Sequence, residues 1–333
     1  MSCGATLPVM AEIPPRPCAP IKVGISDCLL GSQVRYDGGH KRSSLPHEEL
    51  AGLFEFVGLC PEVAVGLGTP REPIRLEGEP ENPRVVSIHS REDVTDRITA
   101  YAKSLPHKLD TAAGYIFMKN SPSCGLSRVK VYPSTGRPKA QGQGVFSREI
   151  SICYPTLPLE ESGRLFDPVL RENFVMRTFV FAHWQALLSG ELSGELTASQ
   201  LIEFHSRYKY LLMAHSVRHY KQCGRLLSDL SNNLLDISQR YFSLLMKGLA
   251  QPASRGTHAN VLAHLQGYVK HALPAADRQE LARLIEEYRS GSLPLLAPLT
   301  LLRHHLKYHA DDYALQQIYL DPHPAVAGLR RAL

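Results

Sequence analysis

The sequence has no long hydrophobic run, and this absence limits where the protein can work. No stretch of the 333 residues approaches the ~18–20 apolar residues that are needed to span a bilayer. The N-terminal stretch also lacks the basic and then apolar layout of a secretory signal. The sequence therefore predicts a cytoplasmic protein that has no membrane partner.

An excess of charge of one sign is also missing. Lys and Arg number 37 against 32 Asp and Glu, which gives a formal net charge of only +5 and excludes a polycation. A charged fraction of 21% beside 44% hydrophobic residues argues against wholesale disorder. The length and the hydrophobic content instead suggest two domains, each with a sizeable core.

Cysteines are few and widely spaced. The seven cysteines lack the close spacing of a disulfide framework, so we expect free thiols or metal ligands. Cys3 and Cys18 lie in a proline-rich leader and are not expected to be ligands, whereas Cys153 and Cys223 are expected to be buried structural thiols. The predicted boundaries are residues 1–20 for a flexible leader, 21–155 for the first domain, 156–167 for a linker and 168–333 for an all-helical domain.

Three short apolar segments of the first domain predict buried strands, and each is followed by a cysteine. The segments are residues 21–26, 53–59 and 113–118. Cys28, Cys60 and Cys124 come after them, and a helical pattern over 90–109 precedes the third strand. Strands that alternate with helices predict an α/β domain with a small parallel sheet. The carboxyl ends of such strands form the edge at which ligands bind.

Three thiolates on separate loops suit one particular cofactor. They can hold three irons of a 4Fe-4S cluster and leave the fourth iron open as a Lewis acid. The spacings between the three cysteines match no zinc-finger or CxxC template. Three buried core thiols are the alternative that spacing alone leaves open.

Local motifs of the first domain resemble those of the thiouracil desulfidases. The motifs are Ser26-Asp27-Cys28-Leu29-Leu30-Gly31, Cys60-Pro61-Glu62, Gly66-Leu67-Gly68-Thr69-Pro70-Arg71 and Ser121-Pro122-Ser123-Cys124-Gly125. The resemblance covers roughly residues 21–155, in the order that the family has. It implies a 4Fe-4S cluster held by Cys28, Cys60 and Cys124, whose open iron binds the thiocarbonyl sulfur of a thiolated pyrimidine. The implied reaction is a hydrolytic, non-redox cleavage of the carbon–sulfur bond.

The resemblance also implies roles for individual side chains. Glu62 corresponds to the catalytic acid–base residue that takes a proton from the attacking water. Ser121 corresponds to a catalytic donor, and Ser123 is close enough in sequence to compete as a substrate-binding residue. A solvated loop acid and a Ser-Pro turn are the alternatives for Glu62 and Ser121. From its residue type, Arg35 suits a substrate phosphate or ring carbonyl, and Arg71 is either structural or a substrate contact.

A basic stripe is predicted in the helical domain. From His205 to Arg225 the chain has five Lys or Arg residues and no acidic residue. On one continuous helix over 197–226, several of these side chains would fall within an arc of roughly 80° together with a tyrosine. The candidate RNA-binding residues are Arg207, Tyr210, Arg218, Lys221 and Arg225. Such a stripe could contact phosphates and a stacked base, and a solvated amphipathic helix is the alternative.

The second half resembles a known helical domain that occurs fused after the desulfidase domain. The resemblance lies in residues 204–215 and 294–300. The fusion implies 4-thiouridine in tRNA as the substrate, with the helical domain holding the RNA. The sequence thus predicts a desulfidase that returns 4-thiouridine in tRNA to uridine and releases sulfide. A desulfidase of free thiouracils and a non-catalytic iron–sulfur RNA-binding or sensor protein are the alternatives, and the oligomeric state is left open.

Overall fold

The fold is taken from a computed structural model. It describes residues 13–45, 48, 50–105, 109–133, 136–138, 140–189, 195–230, 233–310, 312–324 and 330. The chain divides into two compact units, and each is described by itself. The first contains Pro17–Ala182 and the second contains His183–His323, to which Ile13–Arg16 also belong.

A parallel sheet forms the centre of the first unit. The strands of this unit are β1 (Ile21–Ser26), β2 (Phe54–Leu59), β3 (Ile74–Glu77), β4 (Arg84–Ser87), β5 (Tyr115–Phe117), β6 (Val129–Tyr132), β7 (Ala140–Gly142) and β8 (Leu159–Glu161). Four of them form a sheet in the order β2-β1-β5-β8, and every pairing in it is parallel. This confirms the predicted α/β class and all three predicted strands.

Strand β1 is buried on both faces, as expected for a central parallel strand. Its pairing with β2 runs without interruption from Ile21 opposite Phe54 to Ser26 opposite Leu59. On the other edge of β1, Gly24 lies against the ring of the fully buried Tyr115. A Cβ atom on Gly24 would lie 2.4 Å from the Cδ2 atom of that ring, so glycine is required there for close strand packing.

A second, mixed sheet was not predicted. Its order is β4-β3-β6-β7, in which β3 pairs in parallel with β6 and the two outer pairings are antiparallel. These strands are three or four residues long, which is too short for a clear alternation pattern. Their pairing also joins segments that are far apart in sequence.

Helices cover the parallel sheet. They are α1 (Pro61–Ala64), α2 (Thr95–Lys103), α3 (Val145–Cys153) and α4 (Pro168–Leu188). Helix α2 begins five residues later than the predicted start at Ser90, because the Ser90 hydroxyl binds the Glu72 carboxylate. Asp93, expected as part of a cap at Ser90, instead accepts a hydrogen bond from the amide of Thr95.

The boundary between the halves differs from the predicted one. Residues 156–167, predicted as a linker, include β8, which pairs with β5. The first part of α4 was assigned to the helical domain, but Phe174, Val175 and Phe179 pack into the core beside β1 and β2. The strand β8 was not predicted, because a strand of three residues in a proline-rich segment is too short to give a periodic pattern.

The second unit is helical. Its further helices are α5 (Ala198–His215), α6 (Val217–Leu226), α7 (Leu234–Leu249), α8 (Arg255–Gln266), α9 (Ala275–Ser290), α10 (Leu296–His309) and α11 (Asp312–Leu315). The predicted capping box at Thr197 and Gln200 is present. The single helix predicted over 197–226 is wrong, because Ser216 is extended and caps α6 by accepting a hydrogen bond from the amide of His219. None of the described helices combines the length and hydropathy that a membrane crossing requires.

The described part of the predicted flexible leader makes specific contacts. Ile13 is buried, and the carbonyl oxygen of Pro14 lies 2.7 Å from Nε2 of His183. Arg16 binds the carbonyl and carboxylate groups of Asp321. Prolines prevent a helix or ladder, but their carbonyl oxygens still accept hydrogen bonds. Cys3 and the rest of residues 1–12 lie outside the described residues.

Replacing Gly24 by alanine should destabilise β1 by about 1–3 kcal/mol, because the new methyl group would overpack against Tyr115. Amide hydrogen exchange of β1 peptides, followed by mass spectrometry, should accelerate roughly tenfold or more. Gly224→Ala in α6 is the control, since no atom lies within 4 Å of its Cβ position. It should slow exchange in α6 and leave β1 unchanged. Unaltered β1 exchange in Gly24→Ala would contradict the close approach.

Candidate functional site

Three cysteines meet in one cavity at the carboxyl end of the parallel sheet. Cys28 lies in a short 3-10 turn directly after β1, and Cys60 is the residue between β2 and α1. Cys124 lies in the loop that follows β5. All three line a cavity of about 490 Å³. The parallel pairing of β1 with both neighbours explains their convergence, because it brings the three strand ends to the same edge.

The surroundings of the three sulfur atoms disfavour free thiolates. Burial, followed by the nearby Cys60, raises the pKa of Cys28 to about 11. Burial raises the pKa of Cys60 as well and puts the pKa of Cys124 well above its ordinary value. The Sγ atom of Cys60 has a weak contact of 3.8 Å to the carbonyl oxygen of Val34. A positively charged metal centre would offset the cost of burying three thiolates.

The donor set fits a cluster better than a single ion. Across the described residues, no three His, Cys, Asp or Glu side chains are grouped closely enough to hold one metal ion. In a cubane cluster each cysteine binds a different iron, so the sulfurs need not approach a common point. Three thiols spread around one cavity therefore suit three corners of such a cluster.

Glu62 and Ser121 form the polar side of the same cavity. Glu62 is in the first turn of α1, next to Cys60 along the loop. Its Oε1 atom lies 3.4 Å from the Ser121 hydroxyl, and its Oε2 atom binds the guanidinium of Arg71. Glu62 is therefore not a freely solvated loop acid. A carboxylate beside three thiols can receive a proton from water bound in the cavity.

Arg71 holds this side of the cavity together. Its residue type alone could not distinguish this structural role from a contact with substrate. Its guanidinium donates to the carbonyl oxygens of Gly68 at 2.8 Å and Val34 at 3.0 Å, in addition to Glu62. The side chain is only 5% exposed. Arg71 thus fixes the position of Glu62 by joining three segments of chain. Its place in the Gly66–Arg71 motif was the only sequence signal for this role.

The two serines before Cys124 have different positions. The Ser121 hydroxyl accepts hydrogen bonds from the amides of Ser123 at 3.2 Å and Cys124 at 3.1 Å, so it also shapes the loop that carries the cysteine. Ser123 is 0% exposed and is not among the residues that line the cavity. Ser123, predicted to compete as a substrate-binding residue, therefore does not face the cavity, because Val145, Ser147 and their helix cover this loop.

Three further cations line the cavity besides Arg71. Arg35, predicted to bind substrate, lines it and binds the Asp37 carboxylate at 3.0 Å. Lys41 and Lys119 also line it and are exposed, but the sequence reasoning missed both. Isolated lysines in loops carry no pattern that would have marked them.

Three further cysteines in the described part of the chain do not line this cavity. Cys223 is buried in α6, as predicted, and burial raises its pKa to about 12. Cys18 is exposed, and it does not line the site. The prediction of a buried thiol is wrong for Cys153, which is exposed at the end of α3.

The predicted RNA-binding stripe does not exist as one surface. Tyr210, on α5, is buried and shares a hydrogen bond of 3.0 Å with Tyr268, so it cannot stack with a base. Arg207 binds the buried Glu203 through Nε at 2.5 Å. The other three residues share the exposed face of α6, where they are spaced three and four apart: Arg218, Lys221 and Arg225.

Comparisons with known proteins divide the chain in the same way. Residues 23–162 match the family model described as 2-thiouracil desulfurase, and residues 209–324 match a protein family of unknown function, DUF1722. The uncharacterized protein YbbK of Bacillus subtilis strain 168 is 32% identical over 133 residues, 36% of this chain and 83% of YbbK. The chain belongs to the 2-thiouracil desulfurase family.

The helical half has relatives of its own. The uncharacterized protein YbgA of Escherichia coli K12 is 37% identical over 139 residues, 41% of this chain and 82% of YbgA.

Among solved structures, the [4Fe-4S]-dependent thiouracil desulfidase TudS is similar at 30% identity with a TM-score of 0.35, over 44% of this chain and 95% of TudS. The two matched regions confirm the resemblance in both halves. Membership of the 2-thiouracil desulfurase family supports desulfuration of thiouracils as the chemistry of the first unit.

In this 2-thiouracil desulfurase family member, Arg71→Met should destabilise the first unit by about 1.5–3 kcal/mol, because the largely buried carboxylate of Glu62 would lose its charged hydrogen-bond partner. Native-state hydrogen exchange of β2 amides in increasing urea measures this loss in the metal-free protein. Arg84→Met is the control, since Arg84 pairs with Asp93 and Asp96 at the surface and is 45% exposed. Its loss should cost at most about 1 kcal/mol. Equal effects of the two substitutions would contradict the role assigned to Arg71.

Proposed function

We propose that the protein removes sulfur from 4-thiouridine in tRNA, giving uridine and sulfide, with a 4Fe-4S cluster as its cofactor. The observation that carries the proposal is the single cavity that three cysteines share with Glu62 and Ser121. Family membership supports the carbon–sulfur chemistry, and the name of the solved relative TudS supports the cofactor. The cation-bearing helical half supports an RNA substrate.

Cys28, Cys60 and Cys124 would hold the cluster. When bound by three cysteines, a 4Fe-4S cluster supplies an open iron that can polarise the carbon–sulfur bond of a thiolated pyrimidine. Cys28 and Cys60 directly follow strand ends, and Cys124 lies in a loop held by hydrogen bonds to Ser121 and α3, so the chain would fix the position of the cofactor before substrate enters.

Glu62 would take the proton of the water that attacks the ring carbon. One carboxylate oxygen is held by Arg71, which leaves the oxygen near Ser121 to act on the water. A carbon–oxygen bond forms and the carbon–sulfur bond breaks, so water and the thiocarbonyl are converted to a carbonyl and sulfide without a redox change. The Ser121 hydroxyl, at the side of the same cavity, would donate to the substrate ring.

The cations that line the cavity suit a nucleotide better than a free base. Arg35, Lys41 and Lys119 all line it, and a free thiouracil carries no phosphate for them to bind. A nucleotide within RNA brings a phosphate on each side of the ribose. These cations therefore support a polynucleotide substrate.

The exposed face of α6 provides a further basic surface. Arg218, Lys221 and Arg225 have no ion-pair partner in the part of the chain that the structure describes. Unpaired cations on one face attract the phosphates of a polynucleotide and release counterions when it binds. This surface supports the assignment of RNA binding to the helical half.

Glu62→Gln should lower the rate of sulfide release about 10²- to 10⁴-fold, because an amide cannot accept the proton of the attacking water. The assay uses anaerobically reconstituted protein, with sulfide measured by colorimetry on thiolated tRNA and on free 2-thiouracil. Glu55→Gln is the matched control, since Glu55 is exposed on β2 before the same cysteine. It should leave the rate unchanged.

Cofactor loading is controlled separately in that experiment. Bound iron and the protection of Cys28 and Cys60 from alkylation should be the same in both variants, while the exposed Cys18 and Cys153 are alkylated throughout. Full activity of iron-loaded Glu62→Gln would remove Glu62 from the mechanism. An iron-loaded wild-type protein that releases no sulfide from either substrate would favour the sensor alternative.

Reversing charge on α6 with Arg218→Glu and Lys221→Glu should raise KM for thiolated tRNA roughly tenfold, because phosphate contacts are lost. The steady-state kinetics of free 2-thiouracil should not change. A variant with Arg240→Glu and Lys270→Glu, exposed cations on α7 and after α8, carries the same charge change as a control. Activity of the wild-type protein on free 2-thiouracil but not on thiolated tRNA would contradict the proposed substrate.

A further inference from the structure

A second cavity lies wholly within the helical unit. Its volume is about 610 Å³. Helices α5 and α10 contribute to its wall, together with the segment that follows α11. Its lining is rich in cations: Arg16, Arg207, Arg303 and Lys307, with His304 beside them. The proposed desulfuration chemistry uses none of these side chains.

Two of the four cations have acidic partners and two do not. Arg16 binds Asp321, and Arg207 binds Glu203 through Nε, so both guanidinium groups are held in place. Arg303 and Lys307 lie one turn apart on α10, exposed and without an ion-pair partner among the described residues. The cavity therefore carries a net positive charge and suits an anionic ligand.

Acceptor groups accompany the cations. Gln316 and Gln317 line the cavity, and the side-chain oxygen of each is buried without a hydrogen-bond partner within the described residues. Gln317 is only 2% exposed. A buried acceptor without a donor destabilises the protein unless a ligand supplies the donor. The phosphodiester groups of an RNA chain have no donor to offer, whereas a ribose hydroxyl or a base N–H does.

An exposed aromatic ring lies beside the cavity. Tyr308 is 63% exposed, and its ring centroid lies 5.0 Å from that of His304, which lines the cavity. The ammonium of Lys307 lies 5.5 Å from the centre of the same ring. An exposed ring next to cations is the arrangement on which single-stranded RNA stacks its bases.

We propose that this cavity binds successive nucleotides of tRNA: Arg303, Lys307 and Arg207 bind phosphates, Gln317 accepts from a hydroxyl or base N–H, and Tyr308 stacks on a base. The assignment rests on the proposed tRNA substrate and adds a contact site on the helical unit. Phosphate groups could also come from a free nucleotide. RNA is favoured because cations, acceptors and an exposed ring occur together, and an acidic peptide would need only the cations.

The test measures binding rather than turnover. Fluorescence anisotropy of an unthiolated tRNA transcript with the full-length protein gives the affinity at several salt concentrations. Arg303→Gln with Lys307→Gln should weaken binding roughly tenfold and reduce the slope of log affinity against log salt by about 1.4–1.8, the effect of two lost phosphate contacts. Arg240→Gln with Lys270→Gln is the control for charge and should change neither quantity as strongly.

A second variant separates RNA from other anions. Tyr308→Ala should weaken tRNA binding at least severalfold without changing the salt slope, because stacking involves no phosphate. Binding of the Arg303→Gln, Lys307→Gln variant equal to that of the control would overturn the proposal, provided that thermal unfolding midpoints agree.

Two further ligands complete the test. Loss of uridine monophosphate binding in the Arg303→Gln, Lys307→Gln variant, with tRNA binding intact, would assign the cavity to free nucleotides and overturn the RNA contact. If polyglutamate competes as effectively as tRNA, the cavity is assigned to an acidic peptide and the RNA contact is overturned. Because the transcript has no thiolated base, these outcomes do not depend on sulfur release, and failure of the proposed reaction would be seen only in the sulfide assay.

Discussion

The site depends on the parallel pairing of β1 with β2 and β5. β1 pairs with β2 along its whole length and with β5 on its other edge, so the three strand ends emerge at one edge of the sheet. A slip of one residue in either pairing would turn every side chain to the opposite face. The cysteines lie a few residues beyond these ends, and their separation in space is therefore set by backbone register.

Charge is distributed unevenly around the cavity that results. The sulfur side is desolvated, so burial raises the pKa of all three thiols. Beside the thiols lies one largely buried ion pair, Arg71 with Glu62, in which the Arg71 guanidinium also binds two backbone carbonyl groups. A buried pair of this kind stabilises little by itself, but it fixes the direction of both side chains. The cavity thus combines ligands that favour a metal with an acid whose position is held by its partner.

Some of this organisation is visible in the sequence and some is not. The three parallel strands could be predicted because each is a short apolar run that ends at a turn, and the cysteine after each marked the common edge. The second sheet could not, because its strands are short and pair with distant segments. Ser121 and Ser123 look equivalent in sequence, and only the covering of their loop by α3 buries Ser123. The role of Arg71 required the fold, since its partners lie in three different segments.

In the helical half as well, the sequence pattern does not show which side chains share a surface. Helical periodicity places Arg207 and Arg218 on one stripe, but a single extended residue, Ser216, ends α5 and restarts the chain as α6. The break removes Arg207 from the stripe and leaves it in a cavity with Arg303 and Lys307, which lie about a hundred residues later in the chain. Cations that are close in sequence therefore serve different surfaces, while cations that are distant share one. Basic composition predicts an attraction for phosphates, but only tertiary packing decides where phosphates can be held together.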